Sequence, residues 1–252
     1  MPTALITGAS GGIGLELARV FAREGFDLVL VARNEQRLQK IAQELKSVRV
    51  RVLVNDLSRP EAPDEVFAAV PTVDVLVNNA GFGVFGKFAE NSLADELNVM
   101  QLNMAALVAL TKLYLPGMLA AKSGRICNVA STAAFQPGPL MAIYYATKAF
   151  VLSFSEAIAN ELKGTGVTVT ALCPGPTVSG FQERAKMEDS GLVKGKKIMD
   201  ARTVAEVGYK GLMAGKTIVI PGFKNNLLAR SVGMMPRSVV TQTVRKMQEK
   251  VQ

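Results

Sequence analysis

The sequence contains no histidine and no tryptophan, and only two of its 252 residues are cysteine. Without histidine the chain cannot carry out Ser-His-Asp hydrolysis or bind a metal through imidazole, and no metal site is expected. Cys127 and Cys173 lie in segments predicted as neighbouring strands, so we interpret them as small buried apolar residues rather than as a structural disulfide. The absence of histidine leaves catalysis by tyrosine open.

The chain also shows no Pro/Ser-rich linker, no internal repeat and no secretory signal. One long apolar stretch, Met104–Ala121, is interrupted by Lys112 and Pro116. This pattern favours a buried or subunit-facing helix over a transmembrane span. We therefore expect a cytoplasmic protein with no transmembrane segment.

Short apolar runs alternate with helical patterns along the chain, and this alternation is typical of an α/β domain with a mostly parallel sheet covered by helices on both faces. A length of 252 residues suits one such domain. The runs predicted as strands are Ala4–Ile6, Leu28–Val31, Val48–Val54, Val73–Val77, Ile126–Val129, Val167–Leu172 and Thr217–Ile220.

The first strand runs directly into a glycine-rich turn, Thr7–Gly14, which is followed by a helical pattern. Such a turn directs free backbone N–H groups and the positive end of a helix dipole at one point, which suits a pyrophosphate. Gly8 would allow the tight turn, Gly12 the approach of the phosphates, and Gly14 the packing of helix on strand. The Gly-x-x-x-Gly-x-Gly spacing departs from the common dinucleotide fingerprint, so a turn without ligand is the alternative.

Tyr144 and Lys148 are one helical turn apart on a common face of a helix predicted to begin near residue 142. A cation close to a phenol favours the phenolate, so we expect Lys148 to lower the pKa of Tyr144 and make it a general acid. Tyr145 has no lysine four residues later. The alternative is an ordinary amphipathic helix with a surface lysine.

These motifs, with Asn78–Gly81 and Pro174-Gly175, occur in an order similar to that of the short-chain dehydrogenase/reductase superfamily. The chain resembles single-domain, NADP-preferring members over about residues 3–222. The resemblance implies a Rossmann-like, doubly wound seven-stranded sheet, with residues 1–222 as the catalytic domain. It also implies a homodimer or homotetramer.

The resemblance implies a catalytic set of Ser131, Tyr144, Lys148 and Asn103. Ser131 would hydrogen-bond the substrate oxygen, and Lys148 would also hold the nicotinamide ribose. Asn103 would anchor a water that relays protons to Lys148. The residues implied to bind the cofactor are Gly8, Ser10, Gly12, Ile13, Gly14, Arg33, Asp56, Leu57, Asn79, Ala80, Gly81, Tyr144, Lys148, Pro174, Gly175, Thr177 and Ser179.

Cofactor choice is inferred at the end of the second strand, where the adenosine ribose should lie. Relatives that use NAD resemble one another in having an aspartate at the position of Ala32, and this chain lacks that carboxylate. Arg33 instead offers a planar set of donors suited to a 2′-phosphate, which predicts NADP(H). A water-exposed arginine at a helix start is the alternative. By resemblance, Asp56 would accept the adenine amino group.

The substrate is expected to be a small-molecule carbonyl or alcohol, since the resemblance implies hydride transfer. Residues 177–200 are predicted to form a lid. A non-catalytic protein of the same fold that senses NADP(H) is the alternative. The side chains expected near the nicotinamide suggest an apolar pocket, unless they belong to the core: Phe82, Val84, Phe85, Pro139, Met141 and Phe181.

Charge is distributed unevenly. Residues 1–180 carry 15 Lys+Arg and 15 Asp+Glu, whereas residues 181–252 carry 14 and 6. No nucleic-acid recognition motif accompanies the net charge of +8. Residues 223–252 form a basic extension in which Ser238 is predicted to cap a helix with Val240, Val244, Met247 and Val251 on one face. We expect this helix to pack on its own subunit, at a subunit interface, or on an anionic membrane or acidic carrier.

Overall fold

A computed structural model of the chain describes residues 1–181, 185, 187, 190–191 and 198–249. Most of the predicted lid between residues 181 and 198 therefore lies outside the described residues. The two ends of the predicted lid are described. They form two short strands, β7 (Thr177–Val178) and β8 (Met199–Asp200), which pair in parallel.

The central sheet confirms the predicted fold class. Its strands are β1 (Thr3–Thr7), β2 (Asp27–Ala32), β3 (Val50–Val54), β4 (Val75–Asn78), β5 (Gly124–Val129), β6 (Val167–Leu172) and β9 (Ile218–Val219). They lie in the order β3-β2-β1-β4-β5-β6-β9, and every pair is parallel, where the sequence predicted a mostly parallel sheet. The order reverses between β1 and β4, so a crevice opens at the carboxyl ends of these strands.

Helices cover both faces of the sheet, as predicted. They are α1 (Gly12–Arg23), α2 (Glu35–Glu44), α3 (Ala62–Ala69), α4 (Leu93–Met100), α5 (Ala106–Ala120), α6 (Ala142–Glu161), α7 (Ala201–Met213), α8 (Phe223–Ser231) and α9 (Arg237–Gln248). On one face Leu17 and Phe21 of α1 are buried with Leu212 of α7. On the other face Val66 of α3 is buried with Leu110 of α5.

Leu93–Ala120 forms one helical run of 28 residues, long and apolar enough by length and composition to cross a membrane. It comprises α4, a π-helical turn at Gln101–Ala105, and α5. Leu107, Leu110 and Tyr114 of α5 are buried against the sheet. These contacts favour the interpretation as a helix of the protein core.

Cys127 and Cys173 are buried free thiols, in agreement with the interpretation as small apolar residues. Burial raises the pKa of both thiols to about 12, so they stay protonated and unreactive at neutral pH.

The C-terminal extension packs on its own domain through α9. Val240 and Val244 are buried in one cluster with Met141 and Tyr145. The predicted cap is wrong, because α9 begins at Arg237 and Ser238 lies inside its first turn. The missing N–H of proline suits a helix start, which explains why Pro236 precedes the helix. Val251 lies outside the described residues.

Candidate active site

A cavity of about 1700 Å³ opens at the carboxyl ends of the strands. Ligand pockets for one small molecule commonly measure about 300–1,000 Å³, so this cavity has room for a dinucleotide and a second molecule. All the residues predicted to bind the cofactor line it except Gly14. The structure therefore gathers loops from five strand ends, which are distant in sequence, around one space.

Gly14 acts from behind the cavity wall. A Cβ atom at this position would lie 2.5 Å from the carbonyl oxygen of Gly8 and 2.5 Å from Nδ2 of Asn79. Gly8 itself has a φ of +66°, and a Cβ there would lie 2.9 Å from Cα of Ala80. These two glycines let the turn after β1 contact both α1 and the segment after β4, which fits the packing role predicted for Gly14.

Thr7 and Asn79 fasten the glycine-rich turn to the segment after β4. The hydroxyl of Thr7 accepts hydrogen bonds from the backbone N–H groups of Asn79 and Ala80, both at 2.9 Å. The side-chain amide of Asn79 donates to the carbonyl of Thr7 at 2.8 Å. Because the Asn79 side chain is engaged in this way, its contribution to the cavity is to hold the turn in shape.

Tyr144, Lys148 and Ser131 meet at the centre of the cavity. Tyr144 and Lys148 lie in α6, and the Lys148 ammonium is 5.7 Å from the centroid of the Tyr144 ring. Ser131, which follows β5, lies beside the Tyr144 phenol, and its hydroxyl accepts from the Ala133 N–H at 3.1 Å. The Lys148 ammonium donates to the carbonyl of Val129 at 2.7 Å. Two hydroxyls and one ammonium thus converge as predicted.

The predicted lowering of the Tyr144 pKa is wrong for this state of the protein. Burial raises the pKa of the phenol to about 12, and the neighbouring Ser131 hydroxyl only partly opposes this rise. Burial also lowers the pKa of the Lys148 ammonium to about 8. Desolvation is the largest cause for both groups, so Tyr144 remains a protonated donor at neutral pH.

Asn103 lies in the π-helical turn between α4 and α5, and its side chain does not line the cavity. The amide donates to the carbonyl of Phe82 at 2.9 Å and to the Thr147 hydroxyl at 3.1 Å, and its oxygen accepts from the Phe82 N–H at 3.1 Å. Both amide hydrogens are therefore engaged within the protein. The side chain positions the loop at Phe82 and has no free donor for the predicted water.

At the opposite end of the cavity, Ala32 ends β2 and Arg33 follows it, at the position predicted. Nη1 of Arg33 lies 3.7 Å from Oδ2 of Asp56, and both side chains are well exposed. Arg37, which the sequence analysis missed, also lines this end. The signal was present, since Asn34 caps α2 by accepting from the Arg37 N–H and so fixes where the first turn of α2 begins.

The end of the cavity near Tyr144 is apolar. The Phe181 ring lies 5.1 Å from the Tyr144 ring, and Met141 is buried beside them. Phe85 packs against the same cluster, whereas Phe82 packs in the core beneath the sheet. Three residues of α9 that the sequence analysis placed on one helix face, without assigning them to the site, line this end: Val240, Val244 and Met247.

Comparison with known proteins gives a consistent answer. The family model described as short chain dehydrogenase matches residues 2–189. The ketoacyl reductase HetN of Nostoc sp. is 36% identical over 179 residues, which are 69% of this chain and 62% of that protein.

Two solved structures extend the match over nearly the whole chain. A short-chain dehydrogenase from Sphingobium yanoikuyae in complex with NADPH is 33% identical, covers 93% of this chain and 95% of its own, and has a TM-score of 0.84. A bulky-bulky ketone specific alcohol dehydrogenase from Comamonas testosteroni is 31% identical, covers 93% and 94%, and has a TM-score of 0.79.

Proposed function

The chain belongs to the short-chain dehydrogenase family, and on that premise we propose that it is an NADP(H)-dependent oxidoreductase that interconverts a carbonyl and a secondary alcohol. The observation that carries the proposal is the meeting of Ser131, Tyr144 and Lys148 at the apolar end of a cavity whose other end has the form of a dinucleotide site. A protein that only sensed the nucleotide would not need a buried proton donor there.

The residues present fit the cofactor. The glycine-rich turn at the start of α1 lines the cavity with backbone rather than side chains, as a pyrophosphate requires. Arg33 and Arg37 line the part of the cavity that would receive the adenosine ribose of a bound dinucleotide. Bound NADPH would supply the hydride for reduction of the carbonyl.

The three catalytic side chains then have separate tasks. Tyr144 donates its proton to the carbonyl oxygen, and its raised pKa keeps that proton available at neutral pH. Ser131 hydrogen-bonds the same oxygen as negative charge develops on it. Lys148, held by the carbonyl of Val129 and 5.7 Å from the centre of the Tyr144 ring, stabilises the phenolate that remains until a proton from solvent restores the phenol.

The preference for NADP(H) is supported by the end of β2. The side chain of Ala32 cannot repel a 2′-phosphate, and two guanidinium groups, of Arg33 and Arg37, border that part of the cavity. The relative from Sphingobium yanoikuyae that was crystallised with NADPH agrees with this preference.

The substrate we propose is a hydrophobic ketone with bulky substituents. Met141, Phe181 and the buried face of α9 give the space beside Tyr144 an apolar lining. The similarity to the bulky-bulky ketone specific dehydrogenase supports the same substrate class.

Oxidation of NADPH in the presence of a panel of carbonyl compounds tests the proposal. The panel should contain bulky ketones, small ketones, aldehydes, quinones and ketoacyl thioesters, each with NADPH and with NADH. We expect turnover of bulky ketones with NADPH at the highest kcat/KM. If no carbonyl compound is reduced although NADPH binds, the proposed oxidoreductase activity is wrong and the alternative of a non-catalytic NADP(H) sensor is favoured.

A further inference from the structure

The C-terminal part of the chain exposes a group of large apolar side chains, which we call the C-terminal apolar surface. Phe223 is 83% exposed and Met234 is 88% exposed, values that an ordinary core-packed helix does not show. The group extends from the start of α8 into the first turn of α9 and consists of Phe223, Leu227, Leu228, Met234, Met235 and Val239. Clustered exposure of this kind marks an interaction site.

The same segment carries positive charge without compensation. Between Glu206 and Glu249 the sequence has seven Lys+Arg and no Asp or Glu. Within the described part of the chain, Lys224, Arg230 and Arg237 form no ion pair, whereas Arg23 and Arg202 both pair with Glu206. The cations that flank the apolar surface are therefore available to an anionic partner.

The surface is continuous with the mouth of the cavity. Phe223, Leu228 and Met235 belong to the exposed group and also line the cavity. These apolar side chains, with Lys224 beside them, connect the C-terminal apolar surface to the cavity that holds the apolar lining beside Tyr144.

We propose that the C-terminal apolar surface docks on an anionic lipid bilayer, with the cavity mouth facing the lipid. A bilayer surface complements both properties of this segment. It offers an apolar phase for the side chains of α8 and negative head groups for the flanking cations. A second copy of the chain matches less well, because a two-fold contact through this surface would bring identical cations together without carboxylates between them. Docking lets an apolar substrate pass from the lipid into the cavity.

Vesicle sedimentation of the full-length protein tests the proposal. The vesicles are made of phosphatidylcholine alone or of phosphatidylcholine with phosphatidylglycerol. Each cation near an anionic surface contributes about a fivefold gain in binding, so we expect at least tenfold tighter binding to the anionic vesicles and a strong loss on raising the salt concentration. Equal and weak binding to both vesicles would overturn the proposal.

Two double variants separate the apolar and charged contributions. Leu227→Gln with Met234→Gln, and Arg230→Gln with Arg237→Gln, should each weaken binding to anionic vesicles about tenfold while NADPH oxidation on a water-soluble ketone stays unchanged, since none of these four side chains lines the cavity. The matched control, Phe88→Gln with Leu93→Gln, removes two apolar side chains of similar exposure elsewhere and should not change binding.

The mass of the protein in solution distinguishes a lipid bilayer from a second copy of the chain as the partner of this surface. Without lipid, the protein and the Leu227→Gln/Met234→Gln variant should have the same mass by light scattering. A variant of lower mass, with vesicle binding unaltered, would show that the surface joins two copies and would overturn the proposal. Vesicle binding and mass in solution are measured without turnover, so the proposal fails or stands separately from the proposed function.

Discussion

The two ends of the cavity are built in different ways. The end formed by β1, β2 and β4 presents mostly backbone, shaped by Gly8, Gly14 and the hydrogen bonds of Thr7 and Asn79. The end beside Tyr144 presents side chains from α6, from the segment after β6 and from the C-terminal helices. A backbone site fits one shape of ligand, whereas a lining of apolar side chains fits any ligand of suitable size and polarity.

Charge follows the same division. The first 180 residues carry equal numbers of positive and negative side chains, and the whole excess of +8 lies beyond them. On the proposed function, the nucleotide end needs no long-range field, because the local dipole of α1 and the guanidinium groups would act at short distance. The excess charge accompanies the exposed apolar residues of α8, which is why we assign it to docking.

Substitution of Tyr144, where the two ends meet, should have the largest effect. Tyr144→Phe removes the general acid and should lower kcat about 10²- to 10⁴-fold. NADPH affinity should stay within a few fold, because the ring and its packing against Phe181 remain. Steady-state kinetics and a fluorescence titration with NADPH measure the two quantities. Activity close to that of the unmodified protein would refute the proton-donor role.

Tyr145→Phe is the matched control. This neighbouring hydroxyl is also buried, and the ring packs closely on Gly138, but Lys148 is one residue out of register with it. Its loss should leave kcat within a few fold. A larger loss of kcat in Tyr145→Phe than in Tyr144→Phe would assign the role of general acid to Tyr145.

Arg33→Ala should affect only the nucleotide end. A charge-assisted hydrogen bond to a phosphate contributes about 1.5–3 kcal/mol, so NADPH affinity should fall about ten- to a hundredfold. NADH affinity should change little, and loss of the neighbouring Asp56 ion pair costs little because that pair is exposed. Dissociation constants for NADPH and NADH, measured for both proteins, give the difference in affinity between the two cofactors. Equal binding of NADPH and NADH by the unmodified protein would remove the basis for NADP preference.

Arg37→Ala extends the comparison. This arginine lines the same end of the cavity from the first turn of α2. If both guanidinium groups contact the phosphate, the double variant should lose more NADPH affinity than either single variant. An Arg37→Ala variant that binds NADPH normally would leave recognition to Arg33 alone.

The sequence was most informative where a function needs one particular residue type. Glycine at positions 8 and 14 and the Tyr144–Lys148 register have few substitutes, so the glycine-rich turn after β1 and the pairing of Tyr144 with Lys148 on one helix could be predicted with their positions. The sheet could be predicted because each buried strand is a continuous apolar run. Arg37 was missed because arginine is common in the first turn of an exposed helix, and the capping residue Asn34 marks where α2 begins but not what the Arg37 side chain faces.

The substrate end was less predictable for a physical reason. Val240 and Val244 lie about a hundred residues from Tyr144 along the chain, and an apolar helix face indicates burial but not its partner. The direction of the Tyr144 pKa shift was missed for a related reason. Register along a helix reports the distance to Lys148, whereas desolvation depends on how tightly the rest of the fold encloses the phenol.

Lys148→Met should stabilise the fold at neutral pH while lowering turnover. The ammonium has a pKa of about 8 in the folded protein and 10.5 ordinarily, so the unfolded chain binds more protons between these values and stability rises with pH there. The unmodified protein should therefore gain about 2 kcal/mol relative to Lys148→Met between about pH 7.5 and pH 10. Urea unfolding of both proteins at the two pH values measures this. Parallel pH dependences would mean that Lys148 is hydrated in solution.

Val244→Ala should give the smallest effect and should change substrate choice alone. Removing two methyl groups from α9 enlarges the apolar lining, so the ratio of kcat/KM for a bulky ketone to that for a small ketone should rise about three- to tenfold. NADPH affinity should not change.

Val20→Ala in α1 is the control, since Val20 is about equally buried but lies in the core cluster on one face of the sheet. It should cost stability without altering the substrate ratio. The same change in ratio for both variants would mean that loosening the core anywhere relaxes specificity, and that the two ends of the cavity are less separate than their construction indicates.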